Sequence, residues 1–178
     1  MARSRASHRF HVGAISLSAP RGWLSSGTLR FPCALGRSGR CARKREGDGA
    51  TPLGCWVVRR IYYRPDRVSR PRAYCPVLAS RPTDGWCDAV GDRNYNRWVK
   101  HPYPASAERL WREDDLYDVV IVLSFNEVPR IQGLGSAIFI HCARPGYPPT
   151  AGCIALARAQ LLRLLERLPP RARICSRG

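Results

Sequence analysis

The sequence predicts a mainly β domain, a curved sandwich or barrel-like sheet with one α-helix packed beside it near the C-terminal end. Residues 55–63 and 117–123 are rich in β-branched and aromatic side chains, which favour strands. The second of these runs is short and wholly apolar, which is typical of a buried strand. Helical spacing of apolar side chains is confined to residues 157–168. One helix beside several strands is therefore the expected architecture.

Taken in order, the first predicted strand covers residues 28–35, where Leu29, Phe31 and Cys33 alternate with other residues before a glycine-containing turn. A long, proline-rich segment, residues 64–97, follows the strand at 55–63. Its aromatic and amide side chains favour an ordered cover over a functional site rather than a simple connection. The acid-rich residues 106–118 are interpreted as a solvated turn or short helix, because their spacing does not match a Ca²⁺ loop.

The predicted helix has a leucine stripe, and its outward face carries charged residues. Leu161, Leu164, Leu165 and Leu168 share one face, which indicates packing against the sheet. A proline pair directly after Leu168 ends the helix.

The chain of 178 residues is long enough for one domain with a substantial core. Residues 1–27 carry arginines and no acids, so we expect a disordered basic leader. The domain is expected over residues 28–168, followed by a loose tail at 169–178. No stretch approaches the ~18 apolar residues of a membrane span.

The chain is strongly basic, with 30 Lys and Arg against 13 acids and a net charge of +17. This charge attracts polyanions such as wall polymers or nucleic acid. The arginines are spread along the chain and form no compact aromatic and basic motif, which argues against a specific nucleic-acid reader. Nothing in the sequence indicates the oligomeric state.

Two residues point to chemistry. In residues 137–142 a period of two places Ala137, Phe139 and His141 on one face and Cys142 on the other. Eleven residues separate His141 from Cys153, and three prolines stiffen the loop between them. The sequence thus predicts a nucleophile, Cys153, and a general base, His141, on adjoining elements.

The residues around Cys153 suit acyl transfer. Gly152 has no side chain to hinder a substrate, and the backbone N–H groups of Gly152 and Cys153 are candidates for an oxyanion hole. We also expect the imidazole to raise the thiolate fraction of Cys153. The chemistry available is acyl transfer through a thioester.

Two segments carry a resemblance to a known family. Thr-Ala-Gly-Cys at residues 150–153, preceded by the strand-borne His141, resembles the signature of the L,D-transpeptidase catalytic domain (YkuD-like). Gly-Asp-Gly-Ala-Thr-Pro-Leu-Gly at residues 47–54 resembles the Gly-Asp-x-x-Thr-Pro-x-Gly turn of the same domain. The resemblance covers about residues 28–168 and implies the curved, barrel-like fold of that family.

The resemblance implies that Cys153 attacks the third residue of a peptidoglycan tetrapeptide stem, releases the terminal D-Ala and passes the acyl group to an amine of a neighbouring stem. L,D-carboxypeptidase and cross-link hydrolase remain open as alternatives. Many family members have an arginine two positions after the nucleophile, where this chain has Ala155. The rival from another class is a non-catalytic basic module that binds wall polymer or nucleic acid.

Further site candidates are Arg144, whose guanidinium can bind a substrate carboxylate, Thr150, and the loop residues Asn94 and Tyr95. The resemblance requires no metal or organic cofactor. If Cys153 is a free thiol, seven of the 8 cysteines remain, so an all-disulfide scaffold is excluded.

The resemblance also implies a place in the bacterial cell envelope or periplasm. Residues 12–19, however, lack the continuous apolar core of a signal peptide. Three alternatives stay open: the true start lies elsewhere, export uses another route, or the protein is retained in the cytoplasm.

Overall fold

A computed structural model describes residues 9–178. Within them, fourteen strands and a single α-helix, α1 (Arg158–Leu165), make up the regular structure. The strands, in chain order, are β1 (Arg9–Gly13), β2 (Arg21–Ser26), β3 (Leu29–Ala34), β4 (Arg40–Cys41), β5 (Thr51–Pro52), β6 (Gly54–Tyr63), β7 (Val77–Ala79), β8 (Asp84–Cys87), β9 (Trp98–Lys100), β10 (Ala107–Arg109), β11 (Val119–Leu123), β12 (Phe139–Cys142), β13 (Ile154–Leu156) and β14 (Arg173–Ser176).

The main sheet has nine strands in the order β11-β12-β13-β3-β2-β1-β14-β6-β7. Because β11 also pairs with β6, with Ile61 opposite Ile121, the sheet closes on itself like a barrel and β7 is left outside the ring. The predicted mainly β, barrel-like fold with one helix is confirmed. Closure removes the exposed edges that an open sheet would present.

Alternation along the strands divides the apolar residues into two clusters. On β11, Val119 and Ile121 join the barrel interior, whereas Val120 and Val122 face outward. The outward cluster is covered by a small three-stranded sheet, β10-β8-β9, and its members include Trp86. This second cluster includes Cys153 and Ala137, which places the candidate functional site at its border.

The N-terminal segment differs from the expected disordered leader. Residues 1–8 lie outside the described residues, but β1 and β2 are integral strands of the barrel, so the expectation is wrong for 9–13 and 21–26. Phe10, Val12 and Leu24 are buried in the core at 2%, 1% and 0% exposure. The short β1 is held by its pairing with β14, a partner about 160 positions away that local composition does not reveal.

The expected loose tail at 169–178 is likewise corrected. β14 lies between β1 and β6, with Ile174 fully buried, and Cys175 forms a disulfide with Cys55 on β6. The last residues of the chain are therefore a central part of the sheet rather than an appendage. Cys153 remains a free thiol.

The predicted helix is present over Arg158–Leu165, with Leu161, Leu164 and Leu165 buried against the barrel interior. Part of the long segment at 64–97 is regular, since it contains β7 and β8. Residues 106–118 contain β10 followed by turns rather than a helix. No helix within residues 9–178 has the length and apolar character needed to cross a membrane.

Candidate active site

His141 is placed by β12 on the outer face of the barrel. Its strand neighbours Ile140 and Cys142 belong to the barrel interior, while Phe139 belongs to the outer cluster. The expectation that Cys142 and His141 lie on opposite faces agrees with this arrangement. Tyr117 packs edge-on against the imidazole with ring centroids 5.2 Å apart.

The tautomer of His141 follows from its hydrogen bond. Nδ1 lies 2.9 Å from the carbonyl oxygen of Cys142. A carbonyl can only accept, so Nδ1 carries the proton and donates it to this bond. The Nε2 atom of the neutral ring therefore keeps its lone pair and can accept a proton. The strand backbone fixes the orientation of the ring.

Cys153 directly precedes β13, which runs parallel to β12 with Ile140 opposite Ile154. This register places Cys153 beside Phe139, on the same outer face as His141. The Phe139 N–H donates to Sγ at 3.4 Å, and the thiol donates to the carbonyl of Ala137 at 3.1 Å. The nucleophile is thus held by backbone groups of the strand that carries the base.

Thr150 holds the loop that delivers the nucleophile. Its hydroxyl donates to the carbonyl of Cys153 at 2.6 Å and accepts the N–H of Gly152 at 3.1 Å. Both bonds stay inside the loop and hold it in place. Thr150 also lines the cavity that Cys153 and His141 border, so its expected substrate contact stays a prediction. The Gly152 N–H is already engaged by Thr150. Of the two backbone amides expected to form an oxyanion hole, the Cys153 N–H is the candidate that is left.

Gly152 is required by its surroundings. Its φ of +140° is a conformation that residues with a side chain rarely adopt. A Cβ at this position would lie 2.9 Å from the carbonyl oxygen of Ala50. The chain therefore passes through a gap that only glycine fits.

The segment at 47–54 forms the other wall of that gap, and its polar residues fix it in place. Asp48 accepts backbone N–H groups of Arg45 and Ala50, each at 2.8 Å, and pairs with Lys44 at 2.5 Å. Thr51, fully buried, accepts the N–H of Gly36 at 2.8 Å. The two sequence motifs are therefore in contact, and the first supports the loop that carries the nucleophile.

Cys153 and His141 line one cavity of about 510 Å³. The cavity walls carry side chains of both charge signs. Basic and acidic side chains both contribute to its walls: Arg37, Lys44, Arg112 and Arg144, and Glu46, Asp88 and Glu108. A substrate with both ammonium and carboxylate groups suits such a lining.

Burial keeps both His141 and Cys153 neutral near pH 7. Burial lowers the pKa of His141 to about 4. Burial, followed by the charge of Glu108, raises the pKa of the Cys153 thiol to about 12. The expectation that the imidazole raises the thiolate fraction is therefore not met in this state, because removing both groups from water disfavours both charged forms.

Comparison with protein families yields one clear result: the L,D-transpeptidase catalytic domain (YkuD) matches residues 14–174. The match covers nearly the whole chain. The chain belongs to the L,D-transpeptidase catalytic domain family. Comparisons with curated proteins and with solved structures gave no significant match.

In this L,D-transpeptidase domain, Arg144 lies at the exposed rim of the cavity. Its Nη2 donates to Asp114 at 3.1 Å. The same carboxylate is held in bidentate fashion by Arg112, with both distances 2.7 Å, and this contact lowers the pKa of Asp114 to about 2. Asp114 thus stays charged and positions two guanidinium groups at one side of the site.

Asn94 and Tyr95 do not line the cavity. Tyr95 is completely buried, donates its hydroxyl proton to Glu46 at 2.5 Å and accepts the Gly135 N–H at 2.9 Å. The Asn94 side chain donates to the hydroxyl of Tyr103, in the connection after β9, at 2.9 Å. The expected substrate contacts are replaced by structural ones.

The neighbouring Asn96 explains how this loop serves the site. Its Oδ1 accepts Trp86 Nε1 at 2.9 Å and the Ala137 N–H at 3.1 Å. Its amide nitrogen donates to the carbonyls of Phe125 and Asn126 at 3.0 and 2.8 Å. The buried amide thus fixes Ala137, the residue whose carbonyl receives the Cys153 thiol.

Sequence reasoning missed Glu108 and Tyr117, which the fold brings to the cavity beside Cys153 and His141. The Tyr117 hydroxyl donates to Glu108 Oε1. Glu108 lay in an acid-rich segment interpreted as a solvated turn or short helix, and Tyr117 was the first residue of the strand predicted at 117–123, with no motif to mark it. Within residues 9–178, no three His, Cys, Asp or Glu side chains are grouped so that they could hold a metal ion.

Proposed function

We propose that this L,D-transpeptidase domain acts on peptidoglycan stem peptides through a thioester on Cys153. The observation that carries the proposal is the placement of Cys153 and His141 on one face of two parallel, paired strands, bordering one cavity. A rigid sheet holds both reacting groups, which is the arrangement that nucleophilic catalysis needs.

In the first half-reaction, Nε2 of His141 takes the thiol proton as Sγ attacks the carbonyl carbon of the third stem residue. The Sγ–C bond forms, and the carbonyl oxygen becomes an oxyanion stabilised by the Cys153 N–H. Collapse of this intermediate breaks the C–N bond. His141 returns its proton to the departing amine of D-Ala, and the thioester remains.

In the second half-reaction, an amine of a neighbouring stem attacks the thioester. His141 takes a proton from the attacking nitrogen and returns it to Sγ as the thiol leaves, so the protein is regenerated and a cross-link is formed. Water in place of the amine gives carboxypeptidase or hydrolase chemistry with the same residues. Arg144, at the cavity rim beside Asp114, is our candidate for the substrate carboxylate. The place of action that follows from these substrates is the cell envelope.

The proposal is tested by incubating the protein with tetrapeptide stem muropeptides and following intact protein mass and released products. We expect an acyl adduct and D-Ala release for the wild type and neither for Cys153→Ala. Cys75→Ala, which removes a half-buried thiol outside the cavity, is the matched control and should retain both. A dimeric product indicates transpeptidation, and a trimmed monomer indicates hydrolysis. A folded wild type that forms no adduct would overturn the proposal in favour of a non-catalytic basic binding module.

A further inference from the structure

A second cavity lies on the outer face of the barrel, where the covering sheet meets β6 and β11. Its volume is about 290 Å³, at the lower end of the range for small-ligand sites, ~300–1,000 Å³. None of the residues that line it also lines the candidate active site. Its lining includes three arginines, one acid and two tryptophans: Arg60, Arg97, Arg130, Glu127, Trp86 and Trp98.

Strand pairing fixes the walls of this second cavity. Arg60 on β6 lies opposite Val122 on β11, and Trp86 on β8 lies opposite Trp98 on β9. The Trp86 indole N–H is already used, because it donates to Asn96 at 2.9 Å. Trp98, in contrast, is 44% exposed and offers its ring to a ligand.

The charges around the second cavity do not balance. Among residues 9–178, no ion pair within 4.0 Å includes Arg60, Arg97 or Arg130. Glu127 is the one acid among the described residues of the lining, and its Oε2 lies 2.6 Å from Nε of Arg59. The charge of Glu127 also acts on Arg130. The four arginines therefore share one carboxylate.

Arg130 shows most clearly that an acceptor is missing. Its Nε is buried and has no hydrogen-bond partner within residues 9–178. Burial lowers the pKa of Arg130, the charge of Arg97 lowers it further, and Glu127 opposes both effects. A guanidinium group that has left water and lies near another cation is costly. An anion bound between Arg97 and Arg130 would relieve both costs.

Arg60 adds a further positive charge and has a neutral neighbour. Burial raises the pKa of Tyr62, and a hydrogen bond from Arg60 opposes this rise. A neutral phenol supplies no counter-charge to the guanidinium group. The uncompensated charge around the cavity therefore exceeds what one carboxylate can neutralise. A phosphate monoester carries about −1.5 to −2 charges and offers several acceptor oxygens to separate guanidinium groups.

We propose that this second cavity binds a phosphate monoester whose ester group is a sugar or nucleoside. Arg60, Arg97 and Arg130 hold the phosphate. The Trp98 ring packs against the sugar or base, because a half-exposed indole provides a flat apolar surface beside the cations. Binding here involves neither Cys153 nor His141, so the site goes beyond the proposed function and does not depend on it.

The charge requirement is tested by calorimetry in chloride buffer of constant ionic strength, at about pH 7.5, where a phosphate monoester is close to doubly charged. We expect methyl phosphate to bind the wild type about tenfold tighter than dimethyl phosphate or more, since the diester carries only one charge. Arg130→Gln should weaken binding of methyl phosphate by about tenfold or more, the scale of one charge-assisted hydrogen bond. Arg72→Gln is the matched control: it removes an exposed arginine outside the cavity and should bind as the wild type does.

Thermal unfolding shows whether the variants fold and gives a second readout. A ligand that binds only the folded state raises Tm, so methyl phosphate should raise Tm of the wild type and of Arg72→Gln but not of Arg130→Gln. Without ligand, Arg130→Gln should be at least as stable as the wild type, because it removes a cation whose Nε is buried without a partner. Should Arg130→Gln not fold, Arg97→Gln changes an exposed side chain and makes the same comparison.

Glucose 1-phosphate and adenosine 5′-phosphate distinguish the two sources of the ring. The one that binds more tightly than methyl phosphate identifies a sugar or a base, and this gain should vanish in Trp98→Ala while methyl phosphate still binds. The site is overturned if no monoester binds, if the diester binds equally well, or if Arg130→Gln and Arg72→Gln have equal effects. A ring that adds nothing, or a gain that survives Trp98→Ala, overturns the role of Trp98. None of these measurements requires a thioester, so they are decided separately from the proposed function.

Discussion

The Cys153 thiol donates a hydrogen bond to the carbonyl oxygen of Ala137, 3.1 Å away. Burial raises the pKa of this thiol to about 12, so it carries the proton that it donates. Ala137 itself adopts a φ of +51°, uncommon for a residue other than glycine, and Asn96 holds its N–H. Cys153 is therefore held as a neutral, buried thiol.

The first prediction concerns the pH dependence of acyl transfer. His141 acts as a base only when neutral, and burial lowers its pKa to about 4. The acid limb of kcat/KM should therefore fall as the pH drops through about 4, well below the usual histidine value of about 6.5. A stopped assay of D-Ala release between pH 3.5 and 8, buffered at constant ionic strength, measures the limb. An acid limb of kcat/KM near pH 6.5 would contradict the prediction, because it would mean that water reaches the imidazole.

The same burial makes a prediction for stability. The unfolded state takes up a proton on His141 below about 6.5, whereas the folded state does so only below about 4, so the unfolded state binds more protons between these values. This group thus stabilises the fold above pH 6.5, and the contribution is lost as the pH falls to about 4, by about 3 kcal/mol. Urea unfolding of the wild type and of His141→Gln, each at about pH 6.5 and about pH 4, measures how much of the loss in unfolding free energy is due to His141. An equal pH dependence for the two proteins would contradict it.

A third prediction concerns Thr150, whose hydroxyl makes two hydrogen bonds inside the nucleophile loop. Thr150→Val keeps the shape but leaves the Gly152 N–H and the Cys153 carbonyl without this partner, at a cost of about 2 kcal/mol in the free energy of unfolding. Adduct formation should slow as well, because the loop no longer holds Cys153. Thr150→Ser, which keeps the hydroxyl, is expected to restore both properties. If the valine variant equals the wild type in adduct formation, the loop is held by other contacts.

Gly152 provides a fourth prediction. In Gly152→Ala the new methyl group meets the Ala50 carbonyl at 2.9 Å, and the φ of +140° is strained. We expect Cys153 to be displaced and adduct formation to fall by about 100-fold, as misplacements of about 1 Å do. Gly146→Ala is the matched control: it lies in the same loop with a φ of +75° but has open space around it. Equal losses in both variants would show that backbone strain, and not the contact with Ala50, decides the geometry.

The disulfide between Cys55 and Cys175 supplies the fifth prediction. It joins β6 to β14 across a sequence separation of 120 residues. Without this cross-link the unfolded chain gains conformational entropy, which lowers the free energy of unfolding by about 4–5 kcal/mol. Guanidinium unfolding of Cys55→Ala/Cys175→Ala, with wild type in reductant as a second arm, measures the loss. An unchanged midpoint in both arms would mean that the bond does not form in solution.

The sequence predicted that Cys153 and His141 lie on adjoining elements because both residues belong to local patterns, and both border one cavity. Alternation over 137–142 placed His141 and Cys142 on opposite faces, and the structure agrees. The strands at 28–35, 55–63 and 117–123 and the helix near 157–168 appear where periodicity and composition indicated them. Each of these features is decided by side chains a few positions apart.

Contacts between residues far apart in the chain, and not local patterns, decided the terminal segments and the lining of the site. β1 and β14 are short, and each is held between two strands: β1 between β2 and β14, and β14 between β1 and β6. Composition alone, which does not show these pairings, suggested a leader and a tail. Asn94 and Tyr95 were expected at the substrate, but Tyr95 points its hydroxyl to Glu46 inside the protein. Long-range pairing and burial, unlike alternation, leave no trace in a local window.

By itself, then, the sequence determined which reactive groups are present, a thiol at Cys153 and an imidazole at His141, and the loop that joins them. The tertiary structure decided the protonation states, since burial raises the pKa of Cys153 and lowers that of His141. It also brought Glu108 and Tyr117 from the covering segment to the nucleophile. The physical reason is that a residue's identity fixes what it can do, while its distance from water and from distant charges fixes which of those things it does.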